Sequence, residues 1–203
     1  MSRAPLLAIF LSRVLFAASP GPEALPFFFV PNRGQASADV RYMTRGSGLT
    51  VQLRASEIEL RVAGRTVSLR FEGANPESSI ESGSPLQGRA NFFYGGPSEW
   101  RTDIPLFNSV LYRDLYPGID LRYAGAGRNL KSEFLLAPGA DAARIRMRYA
   151  GAEAPRLDPD GSLVVPVGGM EMRENAPLIY QEGAGGREIV EGQFALFDNG
   201  IVG

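Results

Sequence analysis

The chain has 203 residues with 21 basic and 22 acidic side chains, so its formal net charge of -1 lacks the positive footprint of nucleic-acid-binding proteins. It contains no Cys and no His, which excludes disulfides, thiolate metal sites and every catalytic triad that uses a histidine base. Catalysis would have to use carboxylates, tyrosines, Lys131 or an oxygen-ligated metal, and we expect no cofactor.

The first 24 residues have the features of a secretory leader. Arg3 precedes an apolar stretch over residues 6–18, and small residues follow before Pro20. Ser12 and Arg13 interrupt the apolar stretch, which is too short to span a bilayer. We therefore expect residues 1–24 to be a signal peptide or a disordered N-terminus that packs poorly onto the domain. The protein is then exported to the extracellular space or the cell surface and has no membrane span.

From residue 40 onward, apolar and polar side chains alternate with a period of two. The alternation is clearest in residues 49–53, 58–62 and 67–71, and it recurs downstream in residues 119–123, 130–136, 145–149, 163–167 and 194–196. Strands with one apolar face are typical of antiparallel sheets that are covered on one side. The pattern predicts an all-β fold, a two-layer antiparallel β-sandwich of about ten to twelve strands with almost no helix, as a single domain over residues 25–203.

The C-terminus contains a strong turn signal. Asn199-Gly200 favours a tight hairpin turn, and only Ile201, Val202 and Gly203 follow it. We expect the chain to be truncated inside its last hairpin, which would leave the strand around residues 193–197 with an incompletely paired edge.

An ordered series of short motifs resembles a known family. The motifs are Leu25-Pro26, Pro31-Asn32-Arg33-Gly34-Gln35, Gly73-Ala74-Asn75-Pro76, Gly88-Arg89-Ala90-Asn91-Phe92-Phe93, Trp100-Arg101-Thr102, Tyr116-Pro117-Gly118-Ile119-Asp120-Leu121, Tyr123, Ala137-Pro138-Gly139-Ala140-Asp141, Pro177 and Tyr180-Gln181-Glu182. In this order they resemble the uncharacterised domain found N-terminal to SBBP-type β-propeller repeats in bacterial secreted and surface proteins. The resemblance implies an exported all-β module without an assigned activity. It carries no catalytic residue, and Val30 replaces the glutamate that the family usually has at that position.

Four candidate binding residues lie in two polar and aromatic motifs. Arg33 follows Asn32 in a turn-forming cluster, where it either grips a ligand carboxylate or sugar hydroxyl or pairs internally. Asn91, Trp100 and Arg101 belong to a segment that is rich in aromatic side chains, the mixture that sugar-binding faces use. Because large aromatics are also the main contributors to a β core, we expect Trp100 to pack inside and treat sugar binding as the alternative.

The acidic residues offer two further candidates. Asp103, Asp114, Asp120 and Glu133 are the carboxylates to test for glycoside hydrolysis, which needs two carboxyls facing each other across a cleft. We count Asp120 as a candidate binding residue, with an ion pair to Arg122 on the same strand face as the simpler account.

A weak calcium candidate lies in the turn Asp158-Pro159-Asp160-Gly161, because clustered carboxylates suit hard cations. The later ligands of a calcium-binding loop are missing, so a hairpin turn explains this segment better, and no metal site is predicted.

Two functions remain open. The first is a non-catalytic surface module, a structural or adhesion domain beside other extracellular modules. The second is a domain that binds or cleaves carbohydrate through its aromatics and paired carboxylates. The expected partners are accordingly a polysaccharide or other surface modules, and not nucleic acid.

Overall fold

The computed structural model describes residues 8–16, 27–46, 48–127, 129–183 and 185–203, and of residues 8–16 it describes the backbone alone. In chain order the strands of these residues are β1 (Ala8–Phe16), β2 (Phe29–Pro31), β3 (Tyr42–Gly46), β4 (Leu49–Leu53), β5 (Glu57–Val62), β6 (Arg65–Phe71), β7 (Ser79–Ser82), β8 (Pro85–Phe92), β9 (Arg101–Phe107), β10 (Ser109–Tyr116), β11 (Ile119–Ala126), β12 (Asn129–Leu136), β13 (Met147–Ala150), β14 (Arg156–Leu157), β15 (Leu163–Val167), β16 (Met170–Glu174), β17 (Leu178–Gly183), β18 (Gly186–Val190), β19 (Leu196–Phe197) and β20 (Ile201–Val202).

Two antiparallel sheets contain these strands. Sheet I has the order β14-β15-β16-β1-β12-β11-β10-β7, and β17 joins β1 on the side of β16 and carries β18. Sheet II has the order β19-β20-β13-β6-β5-β4-β3-β2-β9-β8. The predicted all-β fold is confirmed. The twenty strands of the described residues exceed the predicted ten to twelve, in part because β2, β14, β19 and β20 are only two or three residues long and carry little periodic signal.

The period-two pattern places one face of each predicted strand in the core. In β4, Leu49, Val51 and Leu53 are buried, and Thr50 and Gln52 between them are half-buried. The same alternation recurs in β5, β6 and β11. The apolar faces of both sheets form one continuous cluster, as expected for a sandwich with a single core.

Buried tyrosines connect the two layers. The ring of Tyr112 in sheet I packs edge-on against Phe71 of sheet II, with ring centroids 5.9 Å apart, and its hydroxyl donates to the Arg54 carbonyl at 3.0 Å. Tyr116 crosses in the same way and donates to the Arg146 carbonyl at 2.7 Å. Each phenol therefore adds apolar contact area and satisfies a backbone carbonyl of the opposite layer.

Short 3-10 turns at Pro97–Glu99, Ala142–Arg144 and Asp198–Gly200 are the helical elements of the described residues, which confirms the expected scarcity of helix. The last turn joins β19 to β20. β20 lies between β19 and β13, Val202 is buried, and β19 is the edge strand of sheet II.

The N-terminal segment differs from the prediction. The backbone of β1 pairs with β12 on one side and with β17 and β16 on the other. The expectation that residues 1–24 pack poorly is therefore wrong for residues 8–16. An extended apolar segment can also form a central strand, whose backbone N–H and C=O groups are paired on both sides. Residues 1–7 and 17–24 lie outside the described residues, and leader cleavage stays a prediction.

A close contact between the layers predicts a sensitive glycine. A Cβ added to Gly125 in β11 would lie 2.6 Å from the Phe27 carbonyl oxygen and 3.3 Å from the Phe27 Cβ. Because backbone cannot move aside cheaply, we expect Gly125→Ala to lower the free energy of unfolding by about 1–3 kcal/mol. Gly183→Ala is the matched control, since this strand glycine has nothing within 4 Å of the added Cβ. Urea unfolding of both variants tests the prediction, which fails if the two are equally stable.

Candidate functional site

The β8–β9 hairpin forms an arm at one edge of sheet II. β8 is the edge strand and nearly all of its residues are exposed. β9 joins the rest of the sheet through β2, where the paired residues are Phe29 and Phe107 at the base of the hairpin. Most of the arm thus extends past its neighbouring strand, and its far end presents the loop between Phe92 and Arg101.

Aromatic side chains are concentrated at the end of this arm, and we call Phe92, Phe93, Tyr94 and Trp100 the aromatic tip. Phe93, Tyr94 and Trp100 are exposed by 60%, 68% and 42%. Phe93 and Trp100 meet edge-to-face with ring centroids 5.1 Å apart, and Phe92 lies 6.1 Å from Tyr94. A cluster of exposed large apolar side chains on a soluble domain is typical of a contact surface.

The loop that carries the tip is held by its own hydrogen bonds. Gly95 adopts a positive φ of 66°, which glycine tolerates without strain. The Glu99 carboxylate accepts the Gly96 N–H at 2.8 Å, and the Glu99 N–H donates to the Gly96 carbonyl at 2.9 Å. The rings are therefore presented by an ordered turn and lose little conformational freedom on binding.

Polar residues at the base of the tip brace it against the Asn32 loop. The Arg101 guanidinium donates to the carbonyls of Arg33 at 3.0 Å and Trp100 at 3.1 Å. The Asn91 side chain accepts the Asp103 N–H at 2.9 Å, across the two strands of the arm. Arg33, Arg101 and Asp103 line a shallow concavity of about 450 Å3 beside Trp100. Arg101 and Asn91 therefore position the arm.

The Asn32 loop itself is an internally bonded turn. The Asn32 amide donates to the carbonyls of Ser37 at 2.8 Å and Val40 at 2.9 Å, and its oxygen accepts the Gly34 N–H at 3.0 Å. The Arg33 side chain is exposed and forms no ion pair with a described residue. The structure thus brings together four of the predicted residues, Arg33, Asn91, Trp100 and Arg101, and their role in binding stays a prediction.

Asp120, the fifth candidate, lies elsewhere. Its carboxylate accepts Arg113 Nη1 at 2.9 Å and the Asp114 N–H at 2.8 Å, so it stabilises the β10–β11 turn region. The expected ion pair with Arg122 is wrong. Arg122 bonds instead to Glu133, the residue directly opposite it on β12.

The other carboxylates considered for hydrolysis have structural partners or lie on the surface. Glu133 is buried and pairs with Lys131 at 2.6 Å and with Arg122. Asp103 pairs with Arg89 at 3.2 Å and is largely exposed. Asp114 holds a positive φ of 47° at the bulge of β10.

The calcium candidate is a hairpin turn between β14 and β15. Asp158 and Asp160 both pair with Arg173, at 2.6 and 2.9 Å. The Ser162 N–H donates to Asp160, which lowers the pKa of that carboxyl together with the Arg173 hydrogen bond. Within the described ranges no group of three or more acidic, His or Cys side chains could hold a metal ion.

The expected burial of Trp100 is wrong, whereas Tyr116 is buried and Phe92 is half-buried. The exposure of Phe93 and Tyr94 was not predicted. The signal that could have indicated it is Gly95-Gly96-Pro97, which marks a loop directly after these two residues.

A second feature that the sequence did not predict is a cavity of about 310 Å3 between the two sheets, lined by residues such as Leu60 of β5 and Leu130 of β12. Glu174 is one of its polar lining residues, and the Glu174 carboxylate accepts a hydrogen bond from the buried Tyr149 hydroxyl at 2.5 Å. Burial and the nearby Glu174 raise the pKa of Tyr149 well above its ordinary value.

Taken together, the described residues define a two-sheet antiparallel sandwich domain that projects an aromatic hairpin arm. The chain matches the model of a domain of unknown function, DUF7948, over residues 29–203, and it belongs to this family. Neither curated proteins nor solved structures gave a match to the chain. Among the described residues there is no helix with the length and apolarity needed to cross a membrane.

Proposed function

We propose that this domain is a non-catalytic surface module that attaches to its partner through the aromatic tip. The observation that carries the proposal is the exposure of three neighbouring aromatic side chains, Phe93, Tyr94 and Trp100, on one projecting arm. Burial of such rings in a partner is favourable by about 25 cal/mol per Å2 of apolar surface. Trp and Tyr are also the residues that most often dominate binding energy at interfaces.

The order of the tip supports a binding role. The edge-to-face contact of Phe93 with Trp100 and the Glu99 hydrogen bonds fix the rings before any partner arrives. A preorganised surface loses less conformational entropy on binding, so more of the burial energy appears as affinity. If these rings served only to stabilise the domain, they would stabilise it most when buried between the two sheets.

We further propose that the module is exported by a bacterium and stands ahead of SBBP-type propeller repeats or other extracellular modules. This part of the proposal rests on the motif series that includes Pro31-Asn32-Arg33-Gly34-Gln35. The partner is then another surface module or the surface of a cell, and the domain acts as a structural or adhesion unit.

A second candidate function is carbohydrate binding by the same tip. Exposed rings stack on the apolar faces of sugars, and the groups around Trp100, among them Arg33, Thr102 and Asp103, offer donors and acceptors for hydroxyls. A cleaving activity would need two carboxyls facing each other across a bound chain.

The experiment compares Phe93→Ala/Trp100→Ala with Ile189→Ala in binding to immobilised bacterial cells. Ile189 is exposed by 67% and lies in β18, away from the tip, so it controls for general surface stickiness. We expect the double variant to lose binding about 10- to 100-fold, since two interface aromatics are removed, and to unfold within about 1 kcal/mol of the native chain. Unchanged binding by a folded double variant would refute the proposal.

Pre-treatment of the cells separates the two candidates. Loss of binding after protease treatment supports contact with a protein module. Loss after periodate oxidation of surface glycans, with competition by soluble polysaccharide, supports carbohydrate binding.

A further inference from the structure

A central strand of sheet I comes from outside the family-defining part of the chain. The family match begins at residue 29, whereas β1 spans Ala8–Phe16. Seven residues of β1 pair with β12, from Ala8 opposite Leu136 to Val14 opposite Leu130. On the other side its first four residues pair with β17 and its last three with β16. The family portion by itself therefore contains a gap one strand wide.

This gap, which we call the strand slot, interrupts the hydrogen bonding of sheet I. Without β1, the eight-residue edge of β12 would lose its partner, as would the facing edges of β16 and β17. The strands β14 to β18 would then have no link within sheet I to the group formed by β7, β10, β11 and β12. Long unpaired edges bind extended segments of other chains, so the slot has to be filled.

The segment that fills the slot is suited to exchange between chains. Seven of its nine residues are apolar, and it makes its pairings through its backbone to three strands that are distant in sequence. Ten residues, 17–26, join it to the rest of the chain, and ten residues reach at most about 35 Å. A linker of this length allows the segment to enter any neighbouring molecule whose slot lies within that distance.

We propose that the strand slot between β12 and the β16–β17 pair is a strand-acceptor site, and that its partner is the N-terminal segment 8–16 of a second copy of this chain. The donated strand runs antiparallel to β12 in the register that β1 has here. Reciprocal donation gives a closed dimer, and donation to a third copy extends the assembly. The proposal does not depend on the aromatic tip, because the slot and the tip belong to different sheets. It requires that residues 8–16 stay on the chain, so it is an alternative to the removal of residues 1–24 as a leader.

The test uses the full-length chain with a protease site placed between residues 17 and 26. The folded protein is cut, and a fluorescent peptide with the sequence of residues 6–18 is added in excess. We expect one labelled peptide to enter per domain while the original segment leaves, or to restore the folded state if cutting causes unfolding.

The control is the same peptide with Phe10→Pro and Leu11→Pro. Both positions have a paired strand on each side, so consecutive prolines remove an N–H from each ladder. We expect this peptide to enter at least tenfold more slowly or not at all. Equal uptake of the two peptides would overturn the proposal. It would also be overturned if the labelled peptide does not enter and the original segment stays bound, or if cutting unfolds the domain and the peptide does not restore the fold.

A second measurement needs no cut. Two differently tagged full-length chains are mixed in mild denaturant and returned to buffer. We expect mixed dimers that persist on dilution, in which a cross-link between residues 8–16 and β12 joins different tags. Cross-links confined to single chains would contradict exchange between copies.

Discussion

Between pH 10 and about pH 12 the domain is expected to unfold, because four tyrosines of the hydrophobic core must keep their protons in the folded state. Burial raises the pKa of Tyr112, Tyr123 and Tyr149 well above the ordinary value of 10.0, and it raises the pKa of Tyr116 to about 12. In the unfolded chain the same phenols ionise near pH 10, so the folded state binds more protons above that pH. Stability is thus complete below pH 10 and falls as the pH rises.

The expected loss is large in comparison with the stability of a domain. Each tyrosine contributes about 1.4 kcal/mol per pH unit between its unfolded and folded pKa. The four together remove about 5 kcal/mol by pH 11, which approaches the whole stability of an ordinary domain.

Urea unfolding at successive pH values measures this loss, with Tyr94→Phe as the control. Tyr94 is exposed, so its removal should leave the pH dependence unchanged. The account fails if all the tyrosines titrate near pH 10 while the domain remains folded, since that would place their hydroxyls in water.

Tyr116→Ala is expected to lower the free energy of unfolding by about 3–5 kcal/mol, whereas Trp100→Ala should cost less than about 1 kcal/mol. Tyr116 is 1% exposed, and its hydroxyl donates to the Arg146 carbonyl and accepts the Arg146 N–H. Its truncation leaves a cavity and two unpaired backbone groups. The Trp100 ring already contacts water over much of its surface.

Thermal and urea unfolding of the two variants measure the contrast directly. Both substitutions remove a large aromatic ring, so the difference between them reports position rather than chemistry. Equal destabilisation by the two substitutions would mean that Trp100 packs in the interior and that the aromatic tip is not exposed to solvent.

The sequence predicted the parts of the fold that depend on local pattern. Alternating segments such as Leu49–Leu53 became strands with a buried face, because a period of two is a property of neighbouring residues. Arg33, Asn91 and Arg101 were each recognisable as polar candidates, but the position of Arg33 beside Arg101 follows from the pairing of β2 with β9.

The parts that sequence could not predict depend on which strands meet. An apolar segment of nine residues suits a leader and a central strand equally, and only its pairing with β12 distinguishes them. Arg122 has Asp120 nearby on its own strand, yet its partner is Glu133 across the ladder, which requires the register. Trp100 is exposed because its hairpin forms the edge of sheet II and pairs with β2 only at its base, and composition does not show which strand is the edge.

The fluorescence of Trp100 tests the central claim most directly, because it is the only tryptophan of the chain and lies in the proposed contact surface. We expect the free protein to show the red-shifted emission of a solvated indole and ready quenching by acrylamide. Addition of the surface extract that the domain binds should shift the emission to the blue and protect it from acrylamide, and Ile189→Ala should behave in the same way. Emission of a buried indole in the free protein, or emission that does not change when the partner is bound, would contradict the assignment of the aromatic tip as the binding surface.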